Sequence, residues 1–430
     1  MDSIKLWARN GEAVRQAIEL GAIAHIETAS EELTDEFLLF AIDSGLLKSW
    51  AGSFPAPRCE PEIAMEVILP AHIAARFAGL YSMRKAGYVL RSARVLGALG
   101  YSVEVVEPAR GLSVRGTGDD KLFSGDVVRK LLVQMERQAD LSQPARRPHQ
   151  EPHVAVKVRE RASRRAVKHA VDEVEAEARA PKVAEQWVAW YNQSVGVSML
   201  HYARLGKGRR MHILDTTRVE VALETGTYEC SGVVKNEDGT LSRGYKLATL
   251  RTLLDSAGWL TQVALSAIQV HDMALCRPLL EAAPVLRAGD VLLEDRGFLD
   301  GATLSHLKRQ RRVDGIIPLK ANMLATQEAM QLAAMADTWQ THPTRPDQTI
   351  ALVRGVEHRW AECEVPLNAW VMRCWNKKKK RTDHLILVTT DLSLSAPWIV
   401  RHYEERPEIE QDYEQMKSGG WQLKKLSSTR

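Results

Sequence analysis

Asp215 interrupts the apolar, β-branched run His212-Ile-Leu-Asp-Thr-Thr217. Burying a carboxylate in such a run is costly unless an ion pair or a bound cation compensates it. Asp295 stands at the carboxyl end of a second apolar run, Val291-Leu-Leu-Glu-Asp-Arg-Gly-Phe298. Further on, Tyr403, Arg406, Glu410 and Lys417 are spaced by 3, 4 and 7 residues, the period of one helix face. Arg406 precedes Glu410 by four residues, within ion-pair reach on a helix. Each acid also has a plainer reading. Asp before Gly closes ordinary turns, and a Glu-rich helix is often a solvated face. Charge alone does not choose Glu410 over Glu404, Glu405, Glu408 or Glu414.

The elements that must position these acids are readable as periodicity. Met211–Val221, Gly244–Leu254 and Leu260–Val270 read as strands, and His271–Ala283 as a helix. Val291–Asp295 reads as a short buried strand, Leu299–Gln310 as a helix and Gly315–Leu319 as a strand. His384–Thr390 is a further buried strand and Ala396–Lys417 a helix. The order implies an α/β architecture. Residues 321–383 mix Thr, Pro, Trp and charge and read as a β-rich insertion. Pro407 lacks an N–H and fits only a first helical turn, so the helix bearing Glu410 starts near it and Tyr403 lies on a separate or kinked segment. At Val270-His-Asp272, an Asp272 helix cap is the simpler reading, and support for the acids by His271 and Asp272 the other. Cys230 lies in a Gly/Asn/Asp-rich loop at 227–244 and has no ligand-spaced partner.

Residues 1–140 read as mostly helical, with apolar spacing at Glu12–Leu20, Thr34–Ile42, Pro61–Leu69 and Phe123–Gln138. Ala71–Gly100 is compatible with a helix–turn–helix carrying Arg84, Lys85, Arg91 and Arg94. Residues 141–205 read as a basic linker, rich in Pro, His and Arg at its start, then a connector of two helices, Arg161–Arg179 and Lys182–Leu205.

The chain has 430 residues, 45% hydrophobic and 26% charged, which excludes a disordered, fibrous or disulfide-scaffold protein. It holds no apolar run of membrane-spanning length and shows no signal peptide. Its five Cys form no CxxC pair, which fits a reducing cytoplasm. The net charge of +4 conceals an acidic start and three basic runs, at Arg76–Arg94, 146–168 and Lys377–Arg381. Such clusters are either solvated faces or the footprint of a polyanion partner.

The pattern Tyr403-x2-Arg406-x3-Glu410-x6-Lys417 resembles the YREK signature of DDE transposases of the bacterial insertion-sequence-four type. ILDTT at 213–217 and EDRGFLDG at 294–301 resemble the family's first and second acidic blocks. Arg243-Gly-Tyr-Lys-Leu247 and Val270-His-Asp272 resemble the segments between them. The resemblance covers about residues 206–320 and 384–421. It implies an RNase H-like core, a mixed sheet flanked by helices, in parts 206–320 and 384–430 split by the insertion at 321–383. It implies Asp215, Asp295 and Glu410 as the catalytic, metal-holding triad. Carboxylate donors suit two Mg²⁺ ions, with Mn²⁺ as a substitute. Tyr403, Arg406 and Lys417 would contact DNA phosphates. Lys246 and Arg296 would approach DNA or be surface charge. An insertion aromatic, from Trp339, Trp360, Trp370 and Trp375, would stack on a flipped base or else pack in the core.

The implied function is cut-and-paste DNA transposition: cleavage at the terminal inverted repeats of double-stranded DNA and strand transfer into target DNA. A homodimer in the synaptic complex, a cytoplasmic, nucleoid-associated location and an end-binding role for residues 1–140 follow from the same resemblance. The chain ends 13 residues after Lys417, where the family usually continues with further helices. The alternatives are a truncated, catalytically idle DNA-binding remnant and an RNase H-like nuclease.

Overall fold

A computed structural model describes residues 33–56, 64–77, 93–100, 182–202, 209–221, 231–254, 257–336, 339–376 and 380–417, with a few isolated positions besides. Helices α1 (Leu33–Asp43), α2 (Leu46–Ser53), α3 (Met65–Phe77) and α4 (Ala93–Ala98) bury Leu38, Val67, Ala71, Val95 and Leu96 in one cluster. The helix expected at Pro61–Leu69 instead starts at Met65 and runs to Phe77. Most of the Glu12–Leu20 and Phe123–Gln138 helices lies outside the described residues. So do residues 78–92 of the helix–turn–helix reading, the linker at 139–156, Arg161–Arg179 and Cys230.

The described part of the connector, residues 182–202, is helical: α5 (Lys182–Trp190), a π-helical segment (Tyr191–Val195) and α6 (Gly196–Tyr202). It holds the N-terminal helices through Trp50, whose Nε1 donates to Ser198 Oγ at 2.8 Å. The Trp190 Nε1 in turn donates to the Trp50 carbonyl at 2.9 Å.

Ten strands among the described residues form one sheet. They are β1 (Met211–Val221), β2 (Gly232–Lys235), β3 (Leu241–Leu254), β4 (Ala257–Ala267), β5 (Val291–Leu293), β6 (Asp314–Pro318), β7 (Gln340–Thr341), β8 (Thr349–Arg354), β9 (Asn368–Asn376) and β10 (Arg381–Thr389). The order is β2-β3-β1-β5-β6-β10-β9-β8-β7, with β4 also paired to β3. β5 is parallel to β1 and β6, and the other pairings are antiparallel. The helices of this part are α7 (Asp272–Ala282), α8 (Gly301–His306), α9 (Leu324–Met335), α10 (Ala396–Tyr403) and α11 (Glu408–Lys417). Among the described residues no helix is long and apolar enough to cross a membrane.

The two faces of the sheet carry separate cores, as strand alternation requires. Leu214, Leu292, Ile317 and Val388 pack with α7, α8 and α9 on one face. Ile213, Val291, Leu293, Ile316 and Leu387 pack with α10 and α11 on the other.

Residues 321–383, read as a β-rich insertion, are joined to the core sheet. Their strands extend the same sheet: β9 pairs with β10 from Asn368↔Thr389 to Asn376↔Arg381. Trp370 and Met372 share the core of Ile213. The expected boundary at 383/384 falls inside β10. The expected loop at 227–244 contains β2 and the start of β3, which pair across a turn at Asn236–Thr240. As expected from Pro407, Ala396–Lys417 is two helices, separated at residues 404–407.

The connector covers the exposed edge of β4. Asn192 donates from Nδ2 to the Val263 carbonyl at 2.8 Å and accepts from the Val263 amide at 2.7 Å, as a neighbouring strand would. At the far side of β3, Arg251 reaches α11. Its Nε lies 2.8 Å from Asp412 Oδ2 and its Nη1 2.7 Å from Glu408 Oε2. Gly258 makes room for it, since a Cβ there would lie 1.9 Å from the guanidinium carbon. Arg251→Met should therefore loosen α11, costing about 1–3 kcal/mol in urea denaturation, below a fully buried pair because Glu408 is half-exposed. Gly258→Ala should cost a similar amount by displacing the same guanidinium.

Candidate active site

Asp215 has the parity of Ile213, and Asp295 that of Leu293. Both therefore belong to the sheet face on which α11 packs. The parallel register Ile213↔Leu293, continued two residues, sets Asp295, just past the end of β5, beside Asp215, which lies within β1 just past its last pair with β5. Each carboxylate is oriented by the amide that follows it. Asp215 Oδ1 accepts from Thr216 N at 2.8 Å, and Asp295 Oδ1 from Arg296 N at 2.7 Å. Glu294, between Leu293 and Asp295, points the other way. Burial pushes its pKa up to about 8, so it is mostly protonated at neutral pH.

The apolar stripe of α11 decides which of its acids face the cleft. Ile409 and Tyr413, one turn apart, are buried against the sheet. The flank bearing Glu408 and Asp412 is held by Arg251. The opposite flank, with Glu410, Glu414 and Lys417, lines a cleft of about 380 Å³ together with Asp215 and Thr216. The remaining acids are engaged elsewhere: Glu404 with Arg345 at 2.9 Å and Glu405 with His402 at 3.3 Å.

Tyr413 fixes this placement. The β1–β5 ladder ends at Ile213 and Leu293. Two residues beyond, the Tyr413 hydroxyl donates to the Asp215 carbonyl at 2.7 Å. Its one proton is thereby used, so the Thr249 hydroxyl at 2.5 Å is the donor in their shared bond. The sequence reading missed Tyr413 and Arg251. The Ile409/Tyr413 spacing inside a Glu-rich segment is the signal that finds the former; nothing local marks the latter.

Arg406 stands among the acids. Its Nη2 lies 2.6 Å from Glu410 Oε1, and it interacts electrostatically with Asp215 and Asp295. Burial raises the pKa of Asp215 to about 6; the Thr216 amide and Arg406 oppose this, while Glu410 and Asp295 reinforce it. Among the described residues no three His, Cys, Asp or Glu side chains are close enough together to hold a metal ion. The donor chemistry of Asp215, Asp295 and Glu410, all oxygen and all anionic, nevertheless fits a hard divalent cation, and the guanidinium supplies the positive charge between them.

Tyr403 ends α10 near Asp295, and burial pushes its pKa up to about 12. Arg296 is exposed. Lys246 is buried, 2.9 Å from Asp272 Oδ1. The cap of α7 is His271, whose Nδ1 accepts from Met273 N at 3.3 Å, so the expected Asp272 cap is replaced by its neighbour. Burial raises the Asp272 pKa, but bonds from Lys246 and Thr216 outweigh it and hold the group below the usual carboxylate value. Of the four tryptophans, Trp360 and Trp370 are core residues and Trp339 packs beneath Arg373, 3.8 Å from its ring centroid. Trp375 is 58% exposed, on β9 near the basic run.

The raised pKa of Asp215 makes its ionised form a stability cost. Between the ordinary value of 3.8 and the folded value of about 6 the folded state holds the proton more tightly, so stability falls as pH rises through that window. Asp215→Asn removes the cost. Its Tm should exceed that of the wild-type protein at about pH 7.5, by roughly 2–4 °C per kcal/mol regained, and the two should converge below about pH 4.

The strand order β4-β3-β1-β5-β6, with β3 alone antiparallel to both neighbours and acids on β1 and just past β5 where the β1–β5 ladder ends, is the RNase H-like arrangement. A search of curated proteins finds no match to this chain. Residues 206–430, just over half of the chain, match the transposase DDE domain. The matched span begins shortly before β1, includes α11 and takes in every element that carries one of the acids, so the chain belongs to the DDE transposase family, nuclease-type enzymes whose substrate is DNA.

Proposed function

We propose that this chain is a cut-and-paste transposase of the insertion-sequence-four, YREK-signature type, cleaving the ends of its element and joining them to target DNA. The observation that carries this reading is the convergence of Asp215, Asp295 and Glu410 on Arg406, just past the end of the β1–β5 ladder, beside an open cleft. The three carboxylates would hold two Mg²⁺ ions. When bound, these ions supply the Lewis acidity that activates water or a DNA 3′-hydroxyl and stabilises the departing oxygen.

The chain's own residues hold and orient the strand. Arg406 is the planar donor for a phosphate, and Glu410 is its partner until DNA enters. Lys417 lies seven residues after Glu410, two turns on along the same face, and meets a phosphate further along the cleft. Tyr403 adds a hydroxyl near Asp295, and Arg296 an exposed guanidinium at the rim. Trp375 is the exposed aromatic available for stacking on an unpaired base. In this reading residues 1–140 bind the element ends, residues 141–205 connect them to the core, and two copies pair the ends in a homodimer acting at the nucleoid.

Incubating the full chain with duplexes ending in the element's terminal inverted repeats, in Mg²⁺, should yield end cleavage and strand-transfer products. Asp215→Ala, Asp295→Ala and Glu410→Ala should each abolish both while retaining DNA binding. End cleavage that persists in any of the three overturns the proposal. Arg406→Ala should weaken end binding and make its log–log dependence on salt shallower by about 0.9, the loss of one phosphate contact.

A further inference from the structure

We propose that Thr216, Asp272 and Lys246 form a positioning relay that fixes the carboxylate of Asp215. The proposal rests on the reading of Asp215 as a metal-holding acid and adds three residues that set its orientation. Thr216 is the residue through which the relay acts. Its amide donates to Asp215 Oδ1 at 2.8 Å, and its hydroxyl donates to Asp272 Oδ1 at 2.9 Å. The Lys246 ammonium lies 2.9 Å from that same carboxylate oxygen and also donates to the Val270 carbonyl. Three elements meet in this contact: β1, β3 and the first turn of α7.

The register explains why they meet. Thr216 pairs with Ala248 and Arg218 with Lys246, so Thr216 and Lys246 are diagonal neighbours on one face of the β1–β3 pair. Asp215 faces the opposite side, toward α11. The relay thus grips β1 from behind the acid cluster.

It does so where the sheet itself gives least support. Ladder pairing with β5 stops at Ile213, so at residues 215 and 216 β1 is held by β3 on one side only. Tyr413 anchors the Asp215 carbonyl on the α11 face. Asp272 anchors the Thr216 side chain on the other.

The chemistry is that of positioning and not of packing. Lys246 is only 9% exposed but the Asp272 side chain is 34% exposed, and such a partly buried ammonium–carboxylate pair contributes little net stability. As a neutral pair it holds Thr216 without adding net charge beside the acids. The relay also borders a cavity of about 410 Å³, which shares Thr216, Thr217 and Lys417 with the cleft at Asp215 and Glu410. A shift of Asp272 would therefore be felt at the acid cluster through Thr216.

The test is Mn²⁺ binding to the full chain without DNA, read as free Mn²⁺ by electron paramagnetic resonance, with Tm measured for each variant. Thr216→Val keeps the shape and removes the hydroxyl; Thr216→Ser keeps the hydroxyl. Thr216→Val and Asp272→Asn should each weaken Mn²⁺ binding about tenfold or more, the usual effect of removing a group that orients a metal ligand. Thr216→Ser should stay within about twofold of wild type. Wild-type Mn²⁺ binding in Thr216→Val, a change in Tm with none in Mn²⁺ affinity, or an equal loss in Thr216→Ser overturns the relay. Asp215→Asn separates the two levels. If it leaves Mn²⁺ binding unchanged, the metal-holding role of Asp215 is wrong; if it weakens binding while Thr216→Val does not, that role stands and the relay alone fails.

Discussion

Tyr413 is buried where α11 crosses β1, and its hydroxyl joins the Asp215 carbonyl to the Thr249 side chain. This contact fixes the last helix against the strand that carries the first acid. The helix is short and half of it is charge, so propensity does not hold it in place. What holds it is the burial of Ile409 and Tyr413 and the two carboxylates gripped by Arg251. Rotating α11 by one residue, about 100°, would carry Glu410 off the flank it now presents. The sheet end, the cleft and the acid cluster all depend on that angle.

The cluster is internally unfavourable. Two aspartates at adjacent strand ends and a glutamate across from them repel one another, and burial raises the pKa of Asp215. Arg406 offsets part of this from its place between them. A site of this kind is poised for positive charge. The guanidinium meets that demand in the protein alone, and the demand is what a divalent cation would answer. Stability is given up locally in order to keep charge available, a common feature of active sites.

The rest of the architecture protects that arrangement. β5 and β6 are buried on both faces and form the parallel centre of the sheet. The connector helix covers β4, so the antiparallel edge does not end in open backbone. On the other side the sheet continues without a break from β6 through β10 into β9, β8 and β7. The region that looks like an insertion in the sequence is mechanically part of the core, and its Trp370 and Met372 pack in the same layer as Ile409 and Tyr413.

Much was legible in the chain itself. The apolar runs around Asp215 and Asp295 specify strands because their residues leave no polar face. Pro407 disfavours an interior helical position and the break falls there, although α3 and α7 accommodate Pro70 and Pro278 inside them. The three acidic blocks, taken together and in order, resemble the motifs of a known family. Other features were set only when distant segments met. That Glu410 and Glu414 face the cleft while Glu408 does not depends on which flank of α11 is held by Arg251, a residue some 160 positions away on β3. The joining of β9 to β10 depends on hairpin register, which hydropathy does not encode. Lys246 reads in the sequence as a cation that approaches DNA or lies on the surface; in the fold it is buried and faces Asp272, because strand alternation and the β1–β3 register place the two on one side of the sheet. Local periodicity determines which faces are apolar and where elements stop. Which charges confront one another follows from register and helix rotation, and these are fixed by packing between segments far apart in the chain.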